Sequence, residues 1–291
     1  MMRARFQQLV KDYYRQSGRD LPWRRSITPY RIVVSEIMLQ QTQVSRVLIK
    51  YPEWLKQFPT WKSLASASTA DVIRGWQGLG YNRRALALKK IAEIVMSEYR
   101  GQLPPDPELL VSFPGIGPAT ASSICAFAYN QPVVFIETNI RRVYIHHYFN
   151  GTRGSLLGTR NSQLRTGPRV ADPVSTLIHD HQLLPIIERT LDRSNPREWY
   201  WALMDYGSYL GKQVENPNRK SKHYTKQSKF EGSRRQVRGA ILKYISDSNR
   251  ATLKQLDSLP FDSALVKTIC AELIKEGFLR KQGQQLGLVN N

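Results

Sequence analysis

Acidic residues are scarce in this chain: 23 Asp and Glu stand against 43 Lys and Arg, giving a formal net charge of +20. A surplus of that size favours a polyanionic partner, nucleic acid first and an acidic membrane surface second. Cysteine is nearly absent. Cys125 and Cys270 lie far apart in helical patterns, so they supply neither a disulfide framework nor a four-cysteine metal site, and a reducing compartment is expected. No apolar run is long enough to span a bilayer, and the opening MMRARFQQLVKDYYRQSGR reads as an amphipathic helix rather than a signal peptide. These absences predict a cytoplasmic protein with no membrane anchor and no bound metal.

What is present is enough for folded domains: 291 residues, 41% of them hydrophobic. Most of the chain reads as helix. Phe6, Leu9, Val10, Tyr13 and Tyr14 recur at helical spacing and Gly18 closes that helix. An irregular RDLPWRR follows. Thr28 and Pro29 suit an N-cap and first helical position, ahead of an apolar side made by Tyr30, Val33, Val34, Ile37 and Met38, with Glu36 in its midst. A second start signal at Thr42 leads into Val44, Val47, Tyr51 and Trp54, leaving Leu39 to Thr42 as a short polar loop. A brief helix after Ser68 reaches Trp76, Gly78 to Tyr81 form a turn, and helix resumes at Arg83. Short turns in close succession imply a compact all-α bundle.

Beyond Phe149 the pattern decays, and residues 150–173 read as a flexible insertion. Helix returns at Leu183 and again from Pro196, capped by Asn195. The stretch from Lys212 to Arg238 is basic, with Lys220 and Lys222 among its cations, and reads either as an arm along a phosphate chain or as a solvated tether. The last sixty residues give three helices and then a hairpin-length segment around Gly283. That order resembles a winged helix, a module that reads DNA or docks protein.

The centre of the chain is FPGIGPATASSICAFAYNQPVVFIETNIRR, from Phe113 to Arg142. Gly115 and Gly117 lie in a tight turn between an apolar run and the helix that Pro118 begins, so backbone amides at a helix start are left uncovered for a phosphate. Such a turn also serves as a plain helix connection. Glu137 then precedes a new helix. Glu36, on an apolar face, is expected to be pushed towards its protonated form, and Glu137 to be held ionised by amides and arginines. One carboxylic acid and one carboxylate suit cleavage of a glycosidic bond through an oxocarbenium-like state. The plainer alternative is an amphipathic-helix glutamate and a helix cap.

LPWRRSITPYRIVVSEIMLQQTQV, GLGYNRRALAL, FPGIGPATASSICAFA and the helix start at Glu137 to Ile140, in that order, resemble the helix-hairpin-helix DNA glycosylases, and among them the MutY-like adenine glycosylases. The resemblance is dense from Phe6 to Phe149, thinner around Trp199 to Gly207 and absent from the tail. It implies a six-helix barrel with the hairpin over 26–130 and a second all-α domain from 1–25 and 131–211, to which the residue patterns add a basic linker or arm over 212–232 and the winged-helix-like domain over 233–291. Double-stranded DNA carrying a mismatch or lesion is the implied partner, with the protein acting as a monomer. By the same resemblance Glu36 is the acid that protonates the base, and Glu137 stands where the family has an aspartate. Arg19, Leu21, Trp23 and Arg24 line the adenine pocket, with Trp201 at a position that contacts the base. Gln41 wedges into the stack beside Gln40 and Tyr81 intercalates next to the opposing base. Gly115, Gly117 and Thr120 at the hairpin, and Lys220 and Lys222 by the charge of the basic stretch, are the expected contacts to the DNA backbone.

Ala119 occupies the place where bifunctional relatives carry a nucleophilic lysine, so hydrolysis by water without a lyase step is implied. Four departures from the family are visible. Glu137 is one methylene longer than aspartate; the family's four-cysteine iron–sulfur motif has no cysteines here; Trp201 replaces a hydrogen-bonding residue; and the winged tail stands where an oxoguanine-checking domain is expected. No cofactor is implied beyond one monovalent cation on the hairpin carbonyls, which no side chain requires. The expected activity is monofunctional removal of adenine opposite guanine or 8-oxoguanine in base excision repair. Removal of thymine or uracil opposite guanine, or catalytically inactive binding of distorted DNA, are the alternatives.

Overall fold

The computed structural model describes residues 2–149, 177–226 and 229–290, so the expected insertion at 150–173 lies outside the described residues. In chain order the helices are α1 (Met2–Ser17), α2 (Pro22–Arg25), α3 (Pro29–Leu39), α4 (Val44–Gln57), α5 (Trp61–Ala65), α6 (Thr69–Gly75), α7 (Arg83–Ser97), α8 (Pro107–Leu110), α9 (Pro118–Tyr129) and α10 (Thr138–Tyr144). A π-helical turn, Ile145–Phe149, extends α10. Then come α11 (Asp180–Thr190), α12 (Pro196–Gln213), a 3-10 turn (Pro217–Lys220), α13 (Arg234–Ser248), β1 (Arg250–Thr252), α14 (Leu253–Leu256), α15 (Ser263–Lys275), β2 (Leu279–Gln282) and β3 (Gln285–Leu288).

The helix starts follow local chemistry. The Thr28 hydroxyl accepts from the Arg31 amide, Ser68 caps α6 through the Asp71 amide and Ser233 caps α13 through the Gln236 amide. Three expectations are corrected. RDLPWRR is not irregular throughout, because Pro22 opens the single turn α2. α4 begins at Val44, since the Thr42 hydroxyl is taken by the Arg84 guanidinium at 3.0 Å instead of capping. Asn195 precedes α12 without a side-chain cap.

Two compact units divide the chain: Met1–Asp20 with Pro118–Lys226, and Leu21–Gly117 with Gln227–Asn291. In the first, α10 packs along α12, and α1 packs on α11 and α12. Phe6 is fully buried among Tyr144, His147, Tyr148 and Trp199. Gly207 is required by this packing: a Cβ there would meet the Asn139 carbonyl oxygen at 2.3 Å.

In the second unit α3, α4, α5, α6 and α7 enclose Ile32, Val33, Ile37, Val47, Trp54, Leu64, Trp76, Leu88 and Ile91, all buried. At roughly 1.5–3 kcal/mol for each large apolar side chain removed from water, this core outweighs any single surface contact. The tail folds as three helices and a sheet of order β1-β3-β2, antiparallel throughout. The sheet has one strand more than the hairpin expected, because Arg250–Thr252 is too short to carry a periodic signal. Val237, Ile241, Leu273 and Phe278 share one core with Ala70 and Ile73 of α6, so the winged-helix-like tail is packed onto the helices of its own unit.

Candidate active site

In the second unit two turns meet on one buried cation, and a third is tied to them. Gln41 and Tyr81 both take positive φ, 53° and 47°, which non-glycine residues rarely adopt and which is commonest at binding sites. Arg84, on the buried side of α7, donates to the carbonyls of Ile37 (2.9 Å), Met38 (2.9 Å) and Gln40 (2.6 Å) and to those of Leu79 (3.1 Å) and Gly80 (2.9 Å). It thereby ties the open C-terminal end of α3 to the Gly78–Tyr81 turn. Burial lowers its guanidinium pKa to about 10, so it remains charged at neutral pH. The Gln40 side chain donates to the Gly115 carbonyl at 3.1 Å, joining the hairpin to the same group.

Sequence reasoning missed Arg84. Its signal was an arginine in phase with Ala85, Leu88 and Ile91, at a position where an apolar residue belongs.

Glu36 lies on α3 between the buried Ser35 and Ile37 and is itself partly exposed. Leu21 and Trp23 are buried, Trp23 edge-on to Tyr51 at 5.5 Å, and Arg24 is partly exposed. The hairpin glycines differ. Gly115 has φ +76° and a Cβ there would sit 3.1 Å from Ala87, whereas Gly117 has no positive φ and open space around it. The fold requires glycine at Gly115. At Gly117 it does not, and the missing side chain leaves the amides before α9 uncovered.

In the first unit Glu137 is the N-cap of α10. Its Oε1 accepts from the amides of Asn139 (2.8 Å) and Ile140 (2.9 Å). Arg141 and Arg142 stand on the first turns of that helix. Arg141 is engaged with Asp180 at 2.7 Å, and Arg142 donates to Asn139 Oδ1 and the Gly207 carbonyl. The amides and arginines do favour the ionised form of Glu137, as expected, but the residue keeps only some surface and burial of the carboxyl outweighs them, raising its pKa above the ordinary value.

Arg19 donates through its backbone amide and its guanidinium to the buried Asp205, at 2.7 Å each. Trp201 is partly exposed and stacks with Phe127, ring centroids 6.0 Å apart. Ala119 is exposed and Thr120 partly so on the first turns of α9. Lys220 and Lys222 are exposed, yet their backbone is fixed: Ile178 donates to the Lys220 carbonyl and Lys222 donates to that of Ile178. The nearby Asn218 side chain donates to the Thr138 carbonyl at the start of α10. The beginning of the basic stretch is thus folded against α10.

A four-cysteine cluster does not fit this chain, whose Cys125 and Cys270 are both buried in helices. Among the described residues no group of three or more His, Cys, Asp or Glu could hold a metal ion, and no helix is long and apolar enough to cross a membrane.

Residues 34–160 match the family described as HhH-GPD superfamily base excision DNA repair protein. An adenine DNA glycosylase of Mycobacterium tuberculosis is 47% identical over 132 residues, 45% of this chain and 43% of its own. The human protein of the same name is 34% identical over 212 residues, 70% of this chain and 35% of its own. The chain thus spans less than half the length of these curated relatives. Among solved structures, that of a thermostable thymine-DNA glycosylase superposes with a TM-score of 0.59 at 21% identity, covering 76% of this chain and 93% of the other, a likeness of fold. Through residues 34–160, the stretch that carries Glu36, the hairpin and Glu137, this chain matches the HhH-GPD superfamily of base excision DNA repair proteins.

Proposed function

We infer that the protein is a monofunctional DNA glycosylase that hydrolyses the N-glycosidic bond of adenine mispaired with guanine or 8-oxoguanine. It acts on duplex DNA as a monomer and without an iron–sulfur cluster. The observation that carries this reading is the identity shared with relatives named adenine DNA glycosylase, beside a family match over residues 34–160 that spans Glu36 and Glu137. Glu36 gives a proton to the departing base, which takes the bonding electron pair. Glu137 as carboxylate offsets the positive charge left on the sugar, water adds to C1′ with loss of a proton, and an abasic site remains. Ala119 offers no amine, so the sugar is not captured as a Schiff base. The raised pKa of Glu137 means that its stabilising form is filled only at a pH above the usual carboxylate range.

On the DNA side, Gln41 and Tyr81 fill the space left by the extruded nucleotide, which costs a few kcal/mol of stacking. The hairpin amides, Thr120, Lys220 and Lys222 take phosphates. Arg19, Leu21, Trp23, Arg24 and Trp201 are the residues this reading assigns to recognition of the base.

Single-turnover reactions on labelled duplexes containing A·G, A·8-oxoG, T·G and U·G, each finished with hot alkali, test the reading. Alkali-dependent strand breaks at A·G or A·8-oxoG that vanish in Glu36→Gln are expected. Breaks at T·G or U·G alone would transfer the activity to another base, and none anywhere would remove it.

A further inference from the structure

The basic corner of the second unit has two kinds of wall. One comes from the turns described above: Gln40, Gln41, Tyr81, Asn82, Arg83 and Arg84. The other comes from the tail: Arg234, Arg235 and Arg238 of α13, with Glu272 of α15. Together they line an open pocket of about 470 Å³, a volume in the range of small-ligand sites. Arg235 links the walls. It donates to the Tyr81 hydroxyl at 2.6 Å, and its guanidinium lies 5.6 Å from the centre of the same ring.

The pocket is basic but mixes donors with an acceptor: five arginines stand with one carboxylate, Glu272. Arg234 is paired with Glu272 at 2.5 Å, while Arg83 and Arg238 are paired with Glu276 at 2.7 and 2.6 Å. Three of its five arginines are thus held by two carboxylates, and Glu272, itself part of the lining, would repel a phosphate oxygen set against it. A ring with a carbonyl acceptor beside N–H donors has the complementary pattern. Guanidinium donors match the O6 of guanine, and a carboxylate matches its adjacent N1–H and N2–H. Tyr81 adds an aromatic surface of the kind on which bases stack.

We propose that the winged-helix-like tail completes a guanine pocket, in which Arg235 and Glu272 read the base opposite the one excised while Gln41 and Tyr81 hold the opened duplex. The proposal rests on the DNA glycosylase reading only in taking opened duplex DNA as the ligand, and guanine and 8-oxoguanine present the same edge to it. The tail is then part of the recognition surface and not a separate module. Reading depends on the angle of a guanidinium fork, so lysine does not replace Arg235.

The test is equilibrium binding of the full chain to duplexes carrying a non-cleavable tetrahydrofuran residue opposite G, A, C or T. Adenine chemistry is not needed, so a protein that excises no adenine still reports on this pocket. The wild type is expected to prefer G by about tenfold or more, the scale of one well-placed bidentate contact. Arg235→Met, Arg235→Lys and Glu272→Gln are each expected to bring that preference below about threefold, through weaker binding opposite G alone. Melting curves verify folding, and Arg235→Lys keeps the charge if Arg235→Met fails to fold. An absence of preference in the wild type would overturn the proposal. So would a preference that survives in the variants, or an equal loss opposite all four bases, which would mark a backbone contact.

Discussion

The Arg84 guanidinium donates to the Gln40 carbonyl at 2.6 Å, and through that bond the helix that carries Glu36 ends on the same cation that fixes the Gly78–Tyr81 turn. The last carbonyls of a helix have no partner within it, and here one buried side chain serves three of them or their successors. Replacing Arg84 by methionine keeps the volume and strands these acceptors, each costing roughly 1–3 kcal/mol when buried and unpaired. A loss of about 3 kcal/mol or more in denaturant unfolding is expected. Arg84→Lys should recover only part of it, because an ammonium cannot span both turns. A Met variant as stable as wild type would refute this account.

Glu276 joins α15 to α7 and α13 through Arg83 and Arg238. The Arg83 hydrogen bond is the largest cause that lowers its pKa to about 2, against the opposing effect of partial burial. With the folded value below the unfolded one, its contribution is full above about pH 5 and lost as pH falls towards 2. The Arg83 end is exposed and screened, so Glu276→Gln should cost about 1 kcal/mol at pH 7. In unfolding titrations across pH, variant and wild type should converge in acid. A gap unchanged from pH 7 to pH 2 would exclude the ion pairs as its source.

Glu137 has the opposite sign. Its folded pKa is raised, so between the unfolded and folded values the native state holds the extra proton and stability falls as pH increases. Glu137→Gln keeps an oxygen for the Asn139 and Ile140 amides and removes the desolvated charge. Its Tm at pH 7 should equal or exceed that of wild type, while the rate of base release falls by a factor on the order of 10² or more. The wild-type rate should rise with pH through the raised carboxyl pKa. A lower Tm together with unaltered excision would contradict both halves.

The two hairpin glycines separate fold from function. Gly115→Ala places a side chain at φ +76° beside Ala87 and should cost about 1 kcal/mol or more of stability. Gly117→Ala should leave the Tm unchanged, since a Cβ there meets open space, and, if the hairpin amides take a phosphate as proposed, should weaken duplex binding several-fold with a shallower salt dependence. Equal effects of the two substitutions on binding and on Tm would show that the turn is only a connection.

Much of the fold was legible in the residues, because helix starts and apolar stripes are local. Thr28 with Pro29, Ser68, Pro118 and Gly277 mark their boundaries by chemistry that needs no partner. The placement of Glu137 just ahead of a helix, as its N-cap, was legible in the same way. Where a side chain's role depends on what else reaches it, the sequence was silent or misleading. Thr42 looked like a cap until Arg84 claimed its hydroxyl. The three-residue strand β1 exists only because β3 supplies a partner.

The sequence by itself determined the charge of +20, the succession of helices, the hairpin and the two glutamates, since each is written in composition or in spacing along the chain. Only the tertiary structure decided the upward shift of the Glu137 pKa, the clamp at Arg84 and the meeting of Arg235 with Tyr81. Burial and hydrogen bonding between residues 154 positions apart are properties of the folded chain, and no local pattern encodes them.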